Sequence, residues 1–139
     1  MIQYHTADIN FIFKSKRKTS AWIKKTIENE GFCLNDLNYI FCSDEYLLQV
    51  NLEYLQHDTL TDIITFDNSE EDNLVEGDVF ISIDRVKENA QLFGITFENE
   101  LCRVLVHGVL HLCGHGDKTS EQKANMRKLE SYYLSQLEN

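Results

Sequence analysis

The sequence predicts an α+β fold in which a small mixed four-stranded sheet is covered by about five helices. Strand-like and helix-like segments alternate through the first half of the chain, an order typical of layered domains. Residues 101–113 are apolar nearly all round, which places this segment in the core rather than on the surface. The length of 139 residues is ordinary for one domain, so residues 1–139 are predicted to fold as a single unit.

Four elements are predicted in the first 52 residues. Apolar side chains recur at helical spacing at Trp22, Ile23 and Ile27, and residues 37–42 are rich in aromatic and β-branched side chains. In chain order, the elements are the end of a strand over residues 9–13, a helix capped by Thr19 or Ser20 and ended by Gly31, a strand over residues 37–42, and a helix capped by Ser43 that runs through Leu52.

Two strands and three helices are predicted in the rest of the chain. Val86, Ala90 and Phe93 are expected to face inward on the first of these helices. The last helix presents an apolar stripe of Met126, Leu129, Tyr133 and Leu137. In chain order, the elements are strands over residues 63–66 and 77–83, a helix capped by Ser82 or Asp84 and ended by Gly94, a helix from Phe97 capped by Thr96 and ended by Gly114, and a helix over residues 120–137.

An acidic segment, residues 67–76, separates the two predicted strands of the second half. It holds five acidic residues and no basic one. Such a segment is either an exposed hairpin connection or a mobile lid over a site. We interpret it as the connection.

Composition indicates an ordinary globular protein of the cytoplasm. Hydrophobic residues make up 42% and charged residues 26% of the chain, as in typical soluble domains. No segment reaches the roughly 18 apolar residues needed to span a bilayer, and the N-terminus lacks a signal-peptide layout, so neither a membrane partner nor export is expected. Cys33, Cys42, Cys102 and Cys113 are scattered without a C-x-x-C pair and are expected to be buried thiols.

Charge is unevenly distributed along the chain. A formal net charge of −10 should repel polyanions at long range. However, six of the thirteen basic residues lie between Lys14 and Lys25, a stretch without an acidic residue. This basic stretch is interpreted first as the solvated face of a helix start and second as a phosphate-binding patch, for which Lys16, Arg17 and Lys18 are the candidate residues.

Two histidines four residues apart lie in the apolar helix. His107 and His111 would stack on one helix face about one turn apart, where both imidazoles can reach one metal ion. A His-x-x-x-His pair alone is weak evidence, because such pairs occur by chance. Here both residues lie in the most hydrophobic segment, where uncompensated imidazoles would be costly. The pair therefore favours a metal site at the end of a buried helix.

A catalytic zinc site normally adds a third protein ligand and keeps one position open. A straight helix could not bring its next turn to the same ion, so the chain must reverse, and Gly114 and Gly116 allow it to do so. Asp117 is the first carboxylate on the return. His115 is the alternative ligand, but less chain separates it from the helix end. We therefore expect His107, His111 and Asp117 to hold the metal.

The metal-site segment departs from the His-Glu-x-x-His motif of metallopeptidases, because Gly108 stands where that motif has its general base. Gly108 is instead expected to leave space for a bulky substrate near the metal. The simplest remaining chemistry is hydrolysis by a water activated at the metal. No general acid or base can be assigned, and Asp62 is interpreted as a turn-forming residue.

Residues 107–117, HGVLHLCGHGD, resemble the signature H-G-x-L-H-L-x-G-x-D-H of the YbeY family of bacterial rRNA maturation endoribonucleases. Residues 51–54 (NLEY), 61–66 (TDIITF) and 77–82 (GDVFIS) are similar to the family's N-x-x-Y-R, T-D-V-L-S-F and G-D-I-x-I-S segments. The resemblance covers most of residues 51–118 in the family's order, whereas the first 50 residues match only in general layout.

The resemblance implies a zinc-dependent endoribonuclease that cuts single-stranded RNA. The family acts in 3′ processing of the small-subunit ribosomal RNA and in ribosome quality control, so the implied partners are ribosomal RNA and the small ribosomal subunit. It also implies a compact α+β domain with one Zn²⁺ per chain, held in a cleft. Residues 1–139 are thus expected to form one metal-dependent hydrolase domain.

Two positions depart from the family pattern. Asp117 takes the position of the family's third histidine, which keeps a ligand but extends the candidate metals to divalent ions other than zinc. Leu55 stands where the family has an arginine, so a cation expected to help hold phosphate is missing. His57 or the basic stretch is the hypothetical substitute.

Two other functions remain open at this point. The missing arginine and the acidic charge are compatible with a non-catalytic ribosome-associated factor whose metal is structural, with His115 and Asp117 both bound and no open position. The same site could also belong to a metal hydrolase of small molecules. The basic stretch discriminates between RNA and a small molecule as substrate. Neutralising it should weaken the binding of RNA, a polyanion, and leave the turnover of a small molecule unchanged.

Overall fold

The computed structural model describes residues 1–57 and 60–137. Its strands are β1 (Ile2–Thr6), β2 (Cys33–Cys42), β3 (Ile63–Asp67) and β4 (Leu74–Ser82). Its α-helices are α1 (Lys16–Asn29), α2 (Asp44–Val50), α3 (Ile83–Phe93), α4 (Phe97–Leu112) and α5 (Ser120–Leu137), and a short π-helical segment (Asn51–Leu55) follows α2. None of the helices in these ranges could cross a membrane.

The four strands form one mixed sheet in the order β1-β2-β4-β3. β1, β2 and β4 run parallel, whereas β3 pairs antiparallel with β4, with Thr65 opposite Val79. The predicted small mixed sheet with about five helices is therefore confirmed. Residues 68–73 join β3 to β4, so the acidic segment is the hairpin connection that the sequence predicts.

Helix α4 lies at the centre of the molecule. It packs against β3 and β4 on one side and against α1, α3 and α5 on others, which explains why its sequence is apolar nearly all round. Leu105, Val106 and Val109 are fully buried. The hydroxyl of the buried Tyr39 on β2 donates a hydrogen bond to the Leu105 carbonyl at 2.9 Å, which ties the sheet to the helix. The prediction of a core helix is confirmed.

Gly108 lets α4 approach the sheet closely. A Cβ atom at this position would lie 2.9 Å from Ile63 Cδ1 on β3 and 2.9 Å from Val79 Cγ1 on β4. The expectation that Gly108 leaves space for a substrate is therefore wrong, because that space is filled by the sheet. The glycine sets the distance between the helix that carries the histidines and the strands beneath it.

Three of the predicted helix caps and two of the predicted helix stops agree with the structure. The side chains of Ser43, Ser82 and Thr96 each accept a hydrogen bond from the backbone N–H three residues later, at 3.1 Å. Ser82, rather than Asp84, is thus the cap of α3. Gly94 and Gly114 end their helices with positive φ angles of 67° and 95°, which glycine adopts at little cost.

The start of the chain differs from the prediction. The strand lies at Ile2–Thr6 and not at residues 9–13, which form no regular element but pack partly buried side chains on the core. Helix α1 begins at Lys16, a turn before the predicted caps, and Thr19 is a buried helix residue. Apolar content favours residues 9–13 as the strand, but pairing with β2 makes the less apolar residues 2–6 the strand instead.

Two predicted burials are also wrong. Phe93, the last residue of α3 before the turn at Gly94, is 61% exposed instead of facing inward. Cys33 is exposed at the start of β2, where the strand precedes the part covered by helices. Cys42 and Cys113 are buried thiols as expected, and Cys102 is half-buried.

Candidate metal centre

The two histidines of α4 point to one place. His107 and His111 lie one turn apart near the end of the helix, and their Nε2 atoms are 3.0 Å from each other. Both rings are partly buried and line a cleft rather than lying wholly within the apolar core. The helical spacing therefore brings the two imidazoles together, as the sequence predicts.

The chain reverses after α4 and returns Asp117 to the histidines. The turn is fixed by the left-handed Gly114 and by a hydrogen bond from the backbone N–H of His115 to the Leu110 carbonyl at 3.0 Å. Asp117 Oδ2 lies 3.4 Å from His107 Nε2 and 3.3 Å from His111 Nε2. The predicted trio of side chains is thus brought together.

His115 points elsewhere. Its Nε2 atom lies 2.7 Å from Glu30 Oε1, at the end of α1, and the ring is not part of the group formed by His107, His111 and Asp117. The alternative in which His115 replaces Asp117 or joins it therefore has no support in the geometry.

The three ligand atoms fit a divalent ion. They lie 3.0 to 3.4 Å from one another, and each side chain offers one atom to the same point. A tetrahedral zinc ion with bonds of about 2.0–2.2 Å separates neighbouring ligand atoms by about 3.3–3.6 Å. Two imidazoles and one carboxylate are also a donor set typical of catalytic zinc sites. The residues therefore suit zinc with little rearrangement.

A buried carboxylate from α5 supports His107 from behind. Glu130 Oε2 lies 2.6 Å from His107 Nδ1. This ring nitrogen faces away from the group formed by His107, His111 and Asp117, here called the ligand group. Sequence reasoning missed Glu130. Glu130 lies four residues after Met126 and three before Tyr133, so it falls within the buried apolar stripe of α5. A carboxylate at such a position needs a partner, and this is the sequence signal that could have identified it.

Arg103 pairs with the acidic groups around the histidines. Its guanidinium binds Glu100 at 2.7 Å, Glu130 at 3.1 Å and Asp62 at 3.7 Å. Glu100 is fully buried and Glu130 nearly so, and such carboxylates require a paired cation. Arg103 lies one turn before His107 on an otherwise apolar helix, and the sequence prediction did not assign it a role.

Burial raises the pKa of the Asp62 carboxyl group above its ordinary value of 3.8, although the charges of Arg103 and His107 act in the opposite direction. Asp62 directly precedes β3, and its backbone carbonyl accepts a hydrogen bond from the Ser82 N–H at 3.0 Å. The backbone contact agrees with a structural role, while the side chain lines the cleft.

The ligand group opens into a cleft of about 510 Å³. Its lining joins the end of α4 to β3 and to the segment after α2. Leu55 and His57, which the sequence comparison with the family singles out, both line it, as do Arg103 and the exposed Lys118. The position of the missing arginine is therefore at the site, and His57 and Lys118 are the candidates near it to contact a phosphate.

The basic stretch lies apart from this cleft. Lys16 and Arg17 line a shallow depression beside β1, which is one edge strand of the sheet. The metal cleft is lined by β3, which is the opposite edge strand. The structure thus does not bring Lys16, Arg17 or Lys18 together with the ligand group.

Comparison with known proteins agrees with this geometry. Residues 1–138 match the family model described as Endoribonuclease YbeY. The chain belongs to this family. It is 50% identical over 134 residues to the Endoribonuclease YbeY of Cytophaga hutchinsonii, covering 96% of this chain and 94% of that protein. It is 45% identical to that of Bacteroides thetaiotaomicron, covering 96% and 97%.

The fold of the YbeY family is also represented among solved structures. The solution structure of TM1509 from Thermotoga maritima superposes with a TM-score of 0.69 at 26% sequence identity, covering 99% of this chain and 89% of that protein. The resemblance noted in the sequence is therefore confirmed, and it extends to the first 50 residues, where sequence motifs were not recognisable.

Proposed function

We propose that this chain is a metal-dependent, single-strand-specific endoribonuclease that acts in 3′ processing of the small-subunit ribosomal RNA and in ribosome quality control. The supporting observation is the convergence of His107, His111 and Asp117 within one cleft, in a chain of the endoribonuclease YbeY family. Its place of action would be the cytoplasm, and its partners RNA and the small ribosomal subunit. The proposed cofactor is one Zn²⁺ per chain.

The three ligands give this site its proposed chemistry. A bound divalent ion would supply Lewis acidity toward a phosphoryl oxygen and toward a water. His107 is held by Glu130 in the orientation that aims Nε2 at the ligand group. Asp117 would add an anionic oxygen to the two imidazole nitrogens, and this donor set suits a divalent metal ion.

The charges lining the cleft suit a phosphodiester. Lys118 directly follows Asp117, is exposed, and has no ion-pair partner within residues 1–57 and 60–137. His57 lies beside Leu55, the position of the family's arginine. We infer that these two side chains contact the phosphate in place of that arginine, whereas Arg103 is committed to its three carboxylates.

The alternatives have less support. A structural metal with a closed ligand sphere would need His115, which is instead paired with Glu30. The cleft is open to solvent and contains cations beyond the ligand group, as a polyanionic substrate requires. We propose that Lys16, Arg17 and Lys18 provide a second, remote contact for a long RNA, which a small-molecule hydrolase would not need.

Metal dependence and the ligand assignment can be tested together. Protein stripped with a chelator should lose cleavage of a single-stranded RNA and regain it with zinc. His111→Ala should abolish both zinc binding and cleavage, whereas His115→Ala, which changes a neighbouring histidine outside the ligand group, should retain both. Cleavage that survives chelation and His111→Ala would indicate a contaminating nuclease and contradict the proposal.

The remote contact needs its own experiment. Replacing Lys16, Arg17 and Lys18 together with glutamine should weaken binding of a long RNA and lower its salt dependence, because each lost phosphate contact lowers the slope of log K against log salt by about 0.7. Cleavage of a dinucleotide should be unchanged. Equal loss on long and short substrates would exclude a separate contact.

A further inference from the structure

A second cleft, of about 400 Å³, adjoins the candidate metal centre from the other side of the ligand group. His107 and Asp117 line both clefts, so the two are continuous across the site. The second cleft is bordered by the turn between α3 and α4 and by the first half of α5. Nothing in the proposed chemistry uses this cleft.

One wall of the second cleft is apolar and exposed. Phe93 is 61% exposed and Ile95, two residues on, is 41% exposed. The turn that presents them is fixed by the left-handed Gly94 and by a hydrogen bond from the Ile95 N–H to the Ala90 carbonyl at 3.0 Å. An aromatic ring held by an ordered turn and open to solvent is the kind of surface on which a nucleic-acid base stacks.

Apart from the candidate ligand Asp117, the accessible charges of this cleft are positive. Lys123 and Arg127 lie one turn apart on α5, line the cleft and are exposed. In the part of the chain that the structure describes, neither side chain has an ion-pair partner. The buried carboxylates of the cleft, Glu100 and Glu130, are both paired with Arg103. The two cations are therefore free to bind an anion, despite the acidic character of the whole chain.

We propose that the second cleft binds the nucleotide next to the scissile phosphate of a single-stranded RNA. Its base would stack on Phe93, and its phosphate would contact Lys123 and Arg127. This inference rests on the proposed function, because the RNA must continue from the ligand group shared by the two clefts. It makes Phe93 a substrate-binding residue and gives a functional reason for its exposure.

Binding of a short fluorescein-labelled single-stranded RNA, measured by anisotropy before zinc is added, tests this subsite without cleavage. Phe93→Ala should weaken binding about 5- to 50-fold, as for the loss of one stacked base. Arg127→Gln should also weaken binding and lower the salt slope by about 0.7. Leu92→Ala and Lys128→Gln are matched controls, since both side chains are exposed and lie outside the lining of this cleft.

Removing the base instead of the ring gives a second test. An RNA with one abasic nucleotide beside the cleavage site should bind wild-type protein more weakly, but should bind Phe93→Ala no worse than the intact RNA does. Such coupling would not arise from a general loss of stability, which thermal melting of each variant checks.

The outcomes separate the subsite from the proposed function. If the zinc-loaded wild type cleaves RNA while the cleft variants bind as tightly as the controls, the subsite is wrong and the nuclease remains. If wild-type protein neither binds nor cleaves single-stranded RNA, both are wrong. Selective weakening by Phe93→Ala and Arg127→Gln supports the subsite even where cleavage is too slow to detect.

Discussion

His107 Nδ1 and Glu130 Oε2 lie 2.6 Å apart, and this pair links helix α5 to the candidate metal centre on α4. Glu130 is 3% exposed, and its second oxygen accepts a hydrogen bond from Arg103 at 3.1 Å. A carboxylate held on both sides fixes the plane of the imidazole and favours the tautomer with its proton on Nδ1. Nε2 is then left with its lone pair toward the ligand group.

Glu130→Gln should therefore weaken zinc binding. The amide has the same shape but no charge, so it stabilises the ligating tautomer less, and loss of such an outer partner typically lowers metal affinity about 10- to 100-fold. Competition with a chromophoric chelator measures the affinity directly. Glu121→Gln on the exposed first turn of α5 is the control and should bind zinc like wild type. Equal affinity for both variants would show that Glu130 has only a packing role.

Gly108→Ala should destabilise the protein by about 1–3 kcal/mol, because the added methyl group meets Ile63 and Val79 at 2.9 Å and forces α4 away from the sheet. Urea unfolding of the metal-free protein measures this change. Gly116→Ala is a milder comparison, since its methyl group would meet only the flexible end of Gln122. A Gly108→Ala protein as stable as wild type would mean that the helix–sheet distance can adapt.

The convergence of the candidate metal ligands could be predicted from sequence because their geometry is local. His107 and His111 are related by one helical turn, and Asp117 follows within one reversal of the chain, so no long-range packing is needed to bring them together. The strand order, by contrast, depends on pairing between distant segments. The same limit explains the first strand, where pairing with β2 selects residues 2–6 over the more apolar residues 9–13.

The contacts of the supporting residues were not predictable for a related reason. Glu130 contacts His107 from a different helix, 23 residues along the chain, and Arg103 bridges three carboxylates on separate elements. Gly108 was misread because its role depends on what lies beneath the helix, which sequence spacing does not reveal. Charged residues at buried helical positions, such as Glu100, were the signal that should have directed attention to this network.

Thiol reactivity should distinguish Cys33 from the other three cysteines. Burial raises the pKa of the Cys42 and Cys113 thiols to about 12 and that of Cys102 to about 11, so these thiols stay protonated and unreactive near neutral pH. Cys33 is exposed. A disulfide reagent at mildly alkaline pH should therefore label one thiol quickly in the native protein and all four after denaturation. Rapid labelling of the Cys33→Ser variant would contradict the burial of the others.

Asp62→Asn should stabilise the metal-free protein at neutral pH. Burial raises the pKa of the Asp62 carboxyl group in the folded state above its unfolded value of 3.8, so the folded state holds this proton more tightly than the unfolded state. Ionisation of Asp62 therefore begins to cost stability as the pH rises past 3.8, where the unfolded state loses its proton, and the cost is complete above the folded pKa. An asparagine never ionises and avoids this cost.

The stabilising effect of Asp62→Asn should accordingly be greatest above the folded pKa and shrink as the pH falls toward 3.8. Urea unfolding at a series of pH values, with a chelator present, measures it. Asp36→Asn provides the control, since that side chain is 70% exposed and should show no such trend. Destabilisation by Asp62→Asn at neutral pH would contradict this prediction. It would mean that the attraction of Arg103, 3.7 Å away, outweighs the cost of burying the carboxylate. Asp62 would then hold Arg103 in place, as Glu100 and Glu130 do.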